Sequence, residues 1–415
     1  MKSLLFILFV VVYAGNLRDN FASFRAKFKR AYLSSEIAYR TTVYNNNMAF
    51  AARENAKNHT YTLGVTPFAD LTVEEFASSR LTILTNPPNV TRRSAARASS
   101  DFVPLYVNWI NQGVITAVRD QGTCKADWAF AAAGMLESAH CIVNGEKWEL
   151  SAQQILDCNP ELYGCEGAWP TVSIDYTAQV GLCREDSYPY KGKQEECKLN
   201  PKKIVNHLHS YNAVPPYNGT ELRIAVSKSP VVTTLRVDEN LVQLYTMGTM
   251  TSKYNGHYHL SALIYGYAPD YWMLKNSWGR DWGNFGFFRV AYEEEGDGAC
   301  GINLWAIYPG LEGLSVCCVC FKEHRMITLV GVWASVDTGF GLQWIQGLGS
   351  SGYRVWAPVD TGFGLQWIRN RIWAPVDTKH ASGVKQRRAL HLSRVQKLYS
   401  ILSEWNRTIA MKSSL

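Results

Sequence analysis

One junction near residue 121 constrains the fold of this chain more than any other stretch of its sequence. The run Gln121-Gly122-Thr123-Cys124 is a Gln-Gly turn that leads, through one threonine, into a cysteine. After Asp127 the chain becomes apolar and aromatic, and the run from Ala129 through Ser138 predicts a helix. We therefore expect a cysteine-containing turn that leads into a helix, with a carboxylate at the helix N-terminus.

The same segment resembles the one that carries the nucleophile in papain-like cysteine peptidases. In that family a second cysteine stands directly before the tryptophan, where the helix dipole and a nearby histidine lower its pKa and keep it as a thiolate. Here Asp127 occupies that place, directly before Trp128. The resemblance implies the α+β, two-lobed papain-like fold, with a helical lobe and a β-barrel lobe, but without the reactive sulfur.

Other catalytic roles follow from the resemblance by position. Gln121 falls at the place of the side chain that stabilises the oxyanion. Asn276, within Lys275-Asn276-Ser277-Trp278-Gly279, falls at the place of the residue that orients the histidine, and Trp278 would cover that contact from water. These roles are expectations that depend on the family match.

The place of the histidine can be interpreted in two ways. The family has it six residues before a Gly-Tyr or Gly-Trp pair, and counting back from Gly266-Tyr267 reaches Leu260. His259 comes one residue early. Because side chains alternate along a strand, that shift would point His259 away from the cleft unless a β-bulge restores its face. The alternative interpretation is an exposed loop histidine.

The carboxylate of Asp127 argues against covalent proteolysis. At neutral pH it is a weak nucleophile, and its attack on an amide would give a mixed anhydride, which is less stable than a thioester. A carboxylate at a helix N-terminus is electrostatically favourable, so a structural replacement is our first interpretation. Activation of a water is the alternative, but aspartic peptidases share one proton between two carboxylates and this segment has no second acid.

Cysteines around the site follow the disulfide loop of the family. The resemblance implies that Cys124 pairs with Cys165 and that Cys158 pairs with Cys197. The cysteines whose pairing stays open are Cys141, Cys183 and Cys300. In the substrate groove, Glu166-Gly167 is followed by Ala168 where the family usually has a second glycine, so a methyl group narrows the expected groove.

The N-terminal residues predict targeting and then a propeptide. Residues 1–15 combine Lys2, an apolar run and Ala14-Gly15, which is typical of a secretory signal peptide and implies a secreted or lysosomal/vacuolar protein. Residues 16–102 resemble a cathepsin L-like inhibitory propeptide. Its Glu-Arg-Phe-Asn-Ile-Asn pattern is matched, with Tyr and Ala replacing Phe and Ile, at Glu36, Arg40, Tyr44, Asn47, Ala51 and Asn55. A second propeptide motif is matched at Gly64, Phe68 and Asp70, with Thr66 where Asn is usual.

Beyond a basic linker, residues 103–309 resemble the mature peptidase domain, and residues 310–415 resemble nothing familiar. Within this tail, residues 332–345 recur almost unchanged at 355–368 and begin again at 372, with copies 23 and then 17 residues apart. Solenoid repeats keep a fixed period, so the alternatives are a recent duplication or a gene model that runs into non-coding repeat. We expect this tail to be disordered.

Charge and composition limit the partners. The tail holds 13 Lys/Arg against 6 Asp/Glu, which leaves 29 of each sign in residues 1–310, so the main body gives no argument for nucleic-acid binding. No later stretch is apolar enough for a membrane span. We expect no cofactor and no metal, since the cluster Cys317, Cys318 and Cys320 lacks a second ligand set.

Three functional interpretations follow. The first is a proteolytically inactive homologue that binds peptides, cystatin-like inhibitors or related peptidases in its cleft, together with its own propeptide. The second is an active cysteine-type endopeptidase, which needs a nucleophile other than Asp127; Cys124 is the nearby thiol, and the resemblance ties it to Cys165. The third is a degraded gene copy without a stable product, which the irregular repeats favour and the intact core argues against.

Overall fold

A computed structural model describes residues 20–85, 103–159, 164–208, 210–251, 256–311, 343–348 and 354–359. The predicted signal peptide, most of the basic linker, the cluster of three tail cysteines and most of the repeat lie outside the described residues. In the part of the chain that the structure describes, no helix combines the length and apolar character needed to cross a membrane.

Eight α-helices lie within the described residues. They are α1 (residues 20–27), α2 Ile37–Asn55, α3 Val73–Arg80, α4 Asp127–Asn144, α5 Ala152–Cys158, α6 Pro170–Val180, α7 Gly219–Lys228 and α8 Glu239–Leu244. Local chemistry sets several of these bounds. Thr72 and Glu75 form a reciprocal capping box at the start of α3, and Gly145 ends α4 in the left-handed conformation with φ 75°.

Ten short strands of the described chain join in one mixed sheet, and four more form two hairpin-like pairs. The strands are β1 Tyr61–Leu63, β2 Thr82–Ile83, β3 Val107–Asn108, β4 Leu182–Cys183, β5 Ile204–Asn206, β6 Tyr211–Ala213, β7 Val231–Arg236, β8 Tyr245–Met250, β9 Tyr258–Tyr267, β10 Tyr271–Lys275, β11 Phe287–Ala291, β12 Ala306–Pro309, β13 Gln343–Leu348 and β14 Arg354–Val359. The sheet order is β1-β8-β11-β10-β9-β7-β12-β6, with β2 and β3 also paired to β9. β4 pairs with β5, and β13 with β14.

Helix α4 and strand β9 form the boundary between the helical and the sheet-rich halves of the core. Fourteen of the α4 residues are buried, among them Trp128 and Met135, and all of β9 after Tyr258 is buried. Gly134 of α4 lies close to the Leu263 side chain of β9, since a Cβ at residue 134 would stand 3.2 Å from Leu263 Cδ2. The predicted α+β class is confirmed: helices α4 to α6 pack beside one large sheet.

Residues 20–85, hereafter the N-terminal segment, have an internal structure built by the motif residues of α2. Arg40 binds the Glu75 carboxylate through its two terminal guanidinium nitrogens, Nη1 and Nη2, at 2.6 and 3.0 Å. Asn47 Nδ2 donates to two backbone carbonyls, those of Ala69 and Leu71. These contacts tie α2 to the turn that precedes α3, because each motif residue lies one helical turn or so from the next on one face.

The N-terminal segment docks on the sheet through main-chain and aromatic contacts. Strand β1 pairs with β8, with Tyr61 opposite Gly248. Thr66 Oγ1 donates to the Gln243 carbonyl at 2.7 Å, so the Thr that replaces the usual Asn still makes a polar contact. Phe68 and Phe76 meet Trp278 edge to face at 5.8 and 5.4 Å between ring centroids. Docking of the segment therefore covers Trp278, the tryptophan expected to shield the Asn–His contact from water.

Candidate active site

Asp127 is the first residue of α4 and is only 2% exposed. Its Oδ2 accepts a hydrogen bond from the backbone N–H of Ser261 on β9, at 2.5 Å. The carboxylate therefore bridges the helix N-terminus and the strand across the boundary of the two halves. Since the Ser261 nitrogen belongs to the peptide group that follows Leu260, the backbone of Leu260 is next to Asp127.

Burial raises the pKa of Asp127 to about 7. The hydrogen bond from Ser261 and the backbone N–H groups at the start of α4 act in the opposite direction, because they stabilise the ionised form. Desolvation is the larger effect. Near neutral pH the side chain is therefore present in both its protonated and its ionised form.

A small cavity of about 20 Å³ lies between α4, β9 and the end of β10. Asp127 and Asn276 both line it, and the described protein offers no hydrogen-bond partner to Asp127 Oδ1 or to Asn276 Nδ2. Lys275 also lines the cavity; burial lowers the pKa of its ammonium group to about 8, and its Nζ donates to Thr116 Oγ1 at 2.8 Å. Two residues with an unpartnered buried polar atom, Asp127 and Asn276, thus line one space about the size of a single water.

The amides of Gln121 and Asn276 are engaged by the protein itself. Gln121 Nε2 donates to the Cys124 carbonyl at 3.0 Å, and Gln121 Oε1 accepts from Ser277 Oγ at 2.7 Å. Asn276 Oδ1 accepts from the N–H of Ser277 at 2.8 Å. Ser277 therefore links the predicted oxyanion residue to the predicted orienting residue.

His259 lies opposite Thr82 of β2, and its described contacts are with the N-terminal segment and with two tryptophans. Its ring packs against Trp169 and Trp305, at 5.7 and 5.8 Å between centroids, and its Nδ1 accepts from the N–H of Leu84 at 3.3 Å. The side chain is 7% exposed, so it is not a loop histidine in solvent. Burial lowers the pKa of His259.

A bulge does interrupt β9, between the histidine and the Gly-Tyr pair. Met273 of β10 lies opposite Gly266, but Leu274 lies opposite Ile264, so Tyr265 is the extra residue. The bulge is consistent with His259 facing the groove, although the side chain meets the two tryptophans there. Leu260 is fully buried opposite Leu235 of β7.

The N-terminal segment runs through the groove next to Gly167. Strand β2 pairs antiparallel with β9, with Thr82 opposite His259. Gly167 has φ 90°, and a Cβ there would stand 2.1 Å from the Thr82 hydroxyl, so this close approach requires glycine. Ala168 is buried beside it, whereas Glu166 projects outward and lies 3.6 Å from Lys125.

Both disulfides of the described residues lie in the helical half. They join Cys124 to Cys165 and Cys158 to Cys197. Cys183 and Cys300 are buried thiols, and burial raises the pKa of each; for Cys300 it reaches about 12. Neither thiol has the lowered pKa of a reactive cysteine.

Sequence reasoning missed Ser261, Ser277 and the Trp169–Trp305 pair. Ser277 is part of the Asn-Ser-Trp-Gly motif, so its position could be predicted from the sequence. Its hydrogen bond to Gln121 could not. Ser261 acts through its backbone N–H, which every non-proline residue has, so no side-chain signal marked it.

Fold and site together define a peptidase homologue with an N-terminal segment folded into its groove. The model of the papain family cysteine proteases matches residues 103–310, and that of the cathepsin propeptide inhibitor domain matches residues 21–76. This chain therefore belongs to the papain family of cysteine proteases.

Named relatives agree with that assignment. Papain from Carica papaya is 30% identical over 295 residues, which cover 70% of this chain and 86% of papain. Thiol protease aleurain from Arabidopsis thaliana is 33% identical over 304 residues, covering 70% and 83% of the two chains. Among solved structures, a recombinant stem bromelain precursor has a TM-score of 0.65 at 30% identity and covers 72% of this chain and 99% of its own. Digestive procathepsin L 3 of Tenebrio molitor has a TM-score of 0.62 at 26% identity, with coverages of 71% and 99%.

Proposed function

We propose that this chain is a papain-family protein that does not hydrolyse peptides and acts by binding in its cleft. In this proposal Asp127 replaces the nucleophilic cysteine, and Gln121 and Asn276 keep the places of the oxyanion and orienting residues. Leu260, rather than His259, takes the place of the histidine. One observation carries the proposal: the side chain at the start of α4 is a buried carboxylate bonded to the Ser261 N–H.

The geometry around Asp127 supports a structural use of the carboxylate. A nucleophile needs a free reactive atom and a base within hydrogen-bond reach. Asp127 Oδ2 is already bonded to Ser261, and the His259 ring nitrogen Nδ1 accepts from Leu84. The Gln121 amide nitrogen, which would stabilise an oxyanion, donates to Cys124.

The resident ligand of the cleft is the N-terminal segment, the propeptide of this family. Its strand β2 is paired to β9 beside Gly167, where an extended peptide ligand would add. Once the segment leaves, the same groove can bind other partners in this proposal: peptides, cystatin-like inhibitors or a related peptidase. A secreted or lysosomal/vacuolar location fits the predicted signal peptide and the two disulfides.

Labelling with a thiol-reactive peptidyl epoxide tests the proposal. The purified protein is treated with and without prior proteolysis of the N-terminal segment, and adducts are mapped by mass spectrometry. We expect none between Gln121 and Phe130, because Cys124 is in a disulfide and residue 127 has no sulfur. Stoichiometric labelling in that stretch would show an active thiol and overturn the proposal.

Two variants serve as matched controls for the labelling. Asp127→Cys restores a thiol at the N-terminus of α4 but has no histidine to lower its pKa, so we expect labelling and hydrolysis near background. Adding Leu260→His supplies that base, and we expect slow turnover of a peptide substrate. Full activity from Asp127→Cys alone would mean that His259 already acts as the base.

The second candidate is an active cysteine endopeptidase, and the names of the relatives favour it. Aleurain is named as a thiol protease, and a Brassica napus relative is named cysteine proteinase COT44. This candidate requires reduction of the Cys124–Cys165 disulfide and movement of Cys124 to the N-terminus of α4. Peptide mapping without reduction separates the two candidates, since a free thiol at Cys124 supports the endopeptidase.

A further inference from the structure

The turn between α2 and β1 carries an Asn-X-Thr triplet, Asn58-His59-Thr60, that the proposed function does not use. All three residues are exposed. An asparagine followed two residues later by a threonine is the acceptor pattern for N-linked oligosaccharides in proteins of the secretory pathway. Such triplets also occur by chance, so the surroundings of each residue decide what this triplet can do.

Asn58 lies on the surface, in the turn that follows α2. Its backbone has φ 56°, in the left-handed region that asparagine tolerates better than most other non-glycine residues. Its N–H donates to the Asn55 carbonyl at 3.3 Å, which closes the turn. An oligosaccharide is bulky and needs a surface position, and the exposed run from residue 56 to residue 60 provides one.

The neighbours of Asn58 hold the turn without its side chain. Glu54 forms an ion pair with Lys57 at 2.8 Å, and its carboxylate lies 3.4 Å from His59 Nε2. The His59 ring stacks on Tyr61, with 4.7 Å between centroids and 6° between planes. None of these described contacts involves the amide of Asn58, so a sugar on Nδ2 would displace none of them.

Thr60, the third residue of the triplet, is joined to β8 in the docked N-terminal segment. Its Oγ1 donates to the Thr249 carbonyl at 2.6 Å, and its own carbonyl accepts from the Thr249 N–H at 2.8 Å. The acceptor pattern requires a hydroxyl at this position. The hydroxyl of Thr60 is therefore free for a transferase before the segment docks and engaged with Thr249 afterwards.

We propose that Asn58 carries an N-linked oligosaccharide, and that this sugar is added before the N-terminal segment docks on β8. The donor is an oligosaccharide attached to a lipid diphosphate. Nδ2 of Asn58 forms a bond to the anomeric carbon, the bond from that carbon to the diphosphate oxygen breaks, the lipid diphosphate leaves, and Nδ2 gives up one proton. The product is still a neutral amide, so the turn gains bulk but no charge.

A second triplet of the described residues, Asn218-Gly219-Thr220, has different surroundings. Asn218 Oδ1 accepts a backbone N–H of the first turn of α7 at 3.0 Å and so caps the helix. Gly219 is buried, and its N–H donates to the Glu294 carbonyl at 2.7 Å. Thr220 Oγ1 donates to Glu294 Oε1 at 2.9 Å. Capping and packing thus account for all three residues of this triplet, whereas the described contacts give the Asn58 side chain no comparable role.

Peptide mapping of the full chain tests the site. The chain is produced with its own N-terminus in a eukaryotic secretory host. The peptide that contains residue 58 is analysed by mass spectrometry before and after treatment with peptide N-glycosidase, which converts a glycosylated Asn to Asp. Mapping separates Asn58 from the triplets at Asn89, Asn218 and Asn406. We expect most molecules to carry sugar at residue 58. An unmodified Asn58 would overturn the proposal, whether the chain reached the medium without sugar or never entered the secretory pathway.

Substitutions within the triplet provide matched controls. Thr60→Ser keeps the hydroxyl and the acceptor pattern, so the sugar should stay on residue 58. Thr60→Val has nearly the shape of threonine but no hydroxyl, and Asn58→Gln keeps an amide but not the pattern, so both variants should lose the sugar. Sugar on Thr60→Val at the wild-type level would contradict the assignment.

The order of the two events has its own test. Sugar-free chain, produced in the bacterial periplasm, is mixed with detergent-solubilised microsomal membranes and the lipid-linked donor, either folded or after reduction and unfolding. We expect the folded chain to accept oligosaccharide at residue 58 about tenfold more slowly, because its docked segment must first open to release Thr60 from Thr249. Equal rates for the two forms would show that docking does not limit the addition and would overturn the proposed order.

This inference does not rest on the loss of peptidase activity. None of the variants alters Asp127, and the sugar on residue 58 is measured by its mass. The epoxide labelling can therefore contradict the proposed function while the sugar is found, and the sugar can be absent while no label is taken up.

Discussion

At the scale of single residues, Asp127 is the position where two physical effects oppose each other. The N-terminus of α4 and the Ser261 N–H favour a carboxylate, while nearly complete burial disfavours its charge. Burial prevails, because the pKa of the side chain rises to about 7. A carboxylate is therefore tolerated here at an energetic cost that depends on pH.

Asp127→Asn should remove that pH dependence. The folded chain holds the Asp127 proton up to about pH 7, whereas the unfolded chain loses it near pH 4, so stability falls as the pH rises between those values. A shift of about 3 pH units corresponds to roughly 4 kcal/mol. Since the Asn oxygen can still accept from Ser261, we expect the variant to match the unmodified chain at pH 4 and to exceed its stability by a few kcal/mol at pH 8.

Denaturant unfolding of both proteins at a series of pH values measures this difference. Other titrating groups are common to the two chains, so subtracting one curve from the other isolates residue 127. Parallel curves from pH 4 to pH 8 would mean that the carboxylate is solvated in solution and not buried as described.

Residue by residue, the sequence was most informative where a motif includes the functional atom. Gln121, Asn276 and Trp278 could be predicted as site residues because their side chains are part of the family pattern. The position of the histidine was harder to predict. The side of β9 on which His259 lies depends on the bulge at Tyr265, and no residue type in the sequence indicates a bulge there. The role of Ser261 could not be predicted, because it binds Asp127 through its backbone N–H and not through its side chain.

At the scale of elements, the contact of the N-terminal segment with the peptidase half centres on one aromatic group. Phe68 and Phe76 are both buried, lie 5.3 Å apart and meet the Trp278 edge to face. Trp278 also packs on Trp282 at 4.8 Å. The segment thus extends the core of the sheet-rich half across the candidate site.

Phe76→Ala should weaken this docking strongly. Truncation of a fully buried phenylalanine typically costs about 3–5 kcal/mol, through lost transfer free energy and the cavity left behind. Ile83→Ala is the matched control from the same segment, because Ile83 is 61% exposed, and it should change stability by less than about 0.5 kcal/mol. Chemical denaturation measures the stability of the two variants. Equal losses of stability would count against the contacts of Phe68 and Phe76 with Trp278 as the main docking contact.

For the helices and strands, sequence motifs predicted some contacts and missed others. The propeptide pattern in α2 predicted which residues matter, and the structure gives them roles: Arg40 with Glu75, and Asn47 with two carbonyls. The pairing of β2 with β9 had no sequence signal, because a two-residue strand is too short for a visible alternation.

At the scale of the whole molecule, the N-terminal segment is part of the described fold. It contributes β1 and β2 to the ten-stranded sheet, and Phe68 and Phe76 to the core. Arg80 adds an ion pair with Asp120 at 3.1 Å. The described disulfides lie within residues 124–197, so no covalent link besides the main chain joins the segment to the rest within the described residues.

Cleavage of the linker should therefore leave the molecule in one piece at neutral pH. Arg92, Arg93 and Arg97 lie between the N-terminal segment and residue 103, and trypsin can cut after each of them. After such cleavage we expect both fragments to elute together in size-exclusion chromatography at pH 7.5, because the pairing of β1 and β2 and the contacts of Phe68 and Phe76 with Trp278 persist without the linker. In 6 M guanidinium without reductant they should separate, since only non-covalent contacts join them. Separate elution at pH 7.5 would mean that the covalent connection, and not the contacts of β1, β2 and Trp278, keeps the segment in the groove.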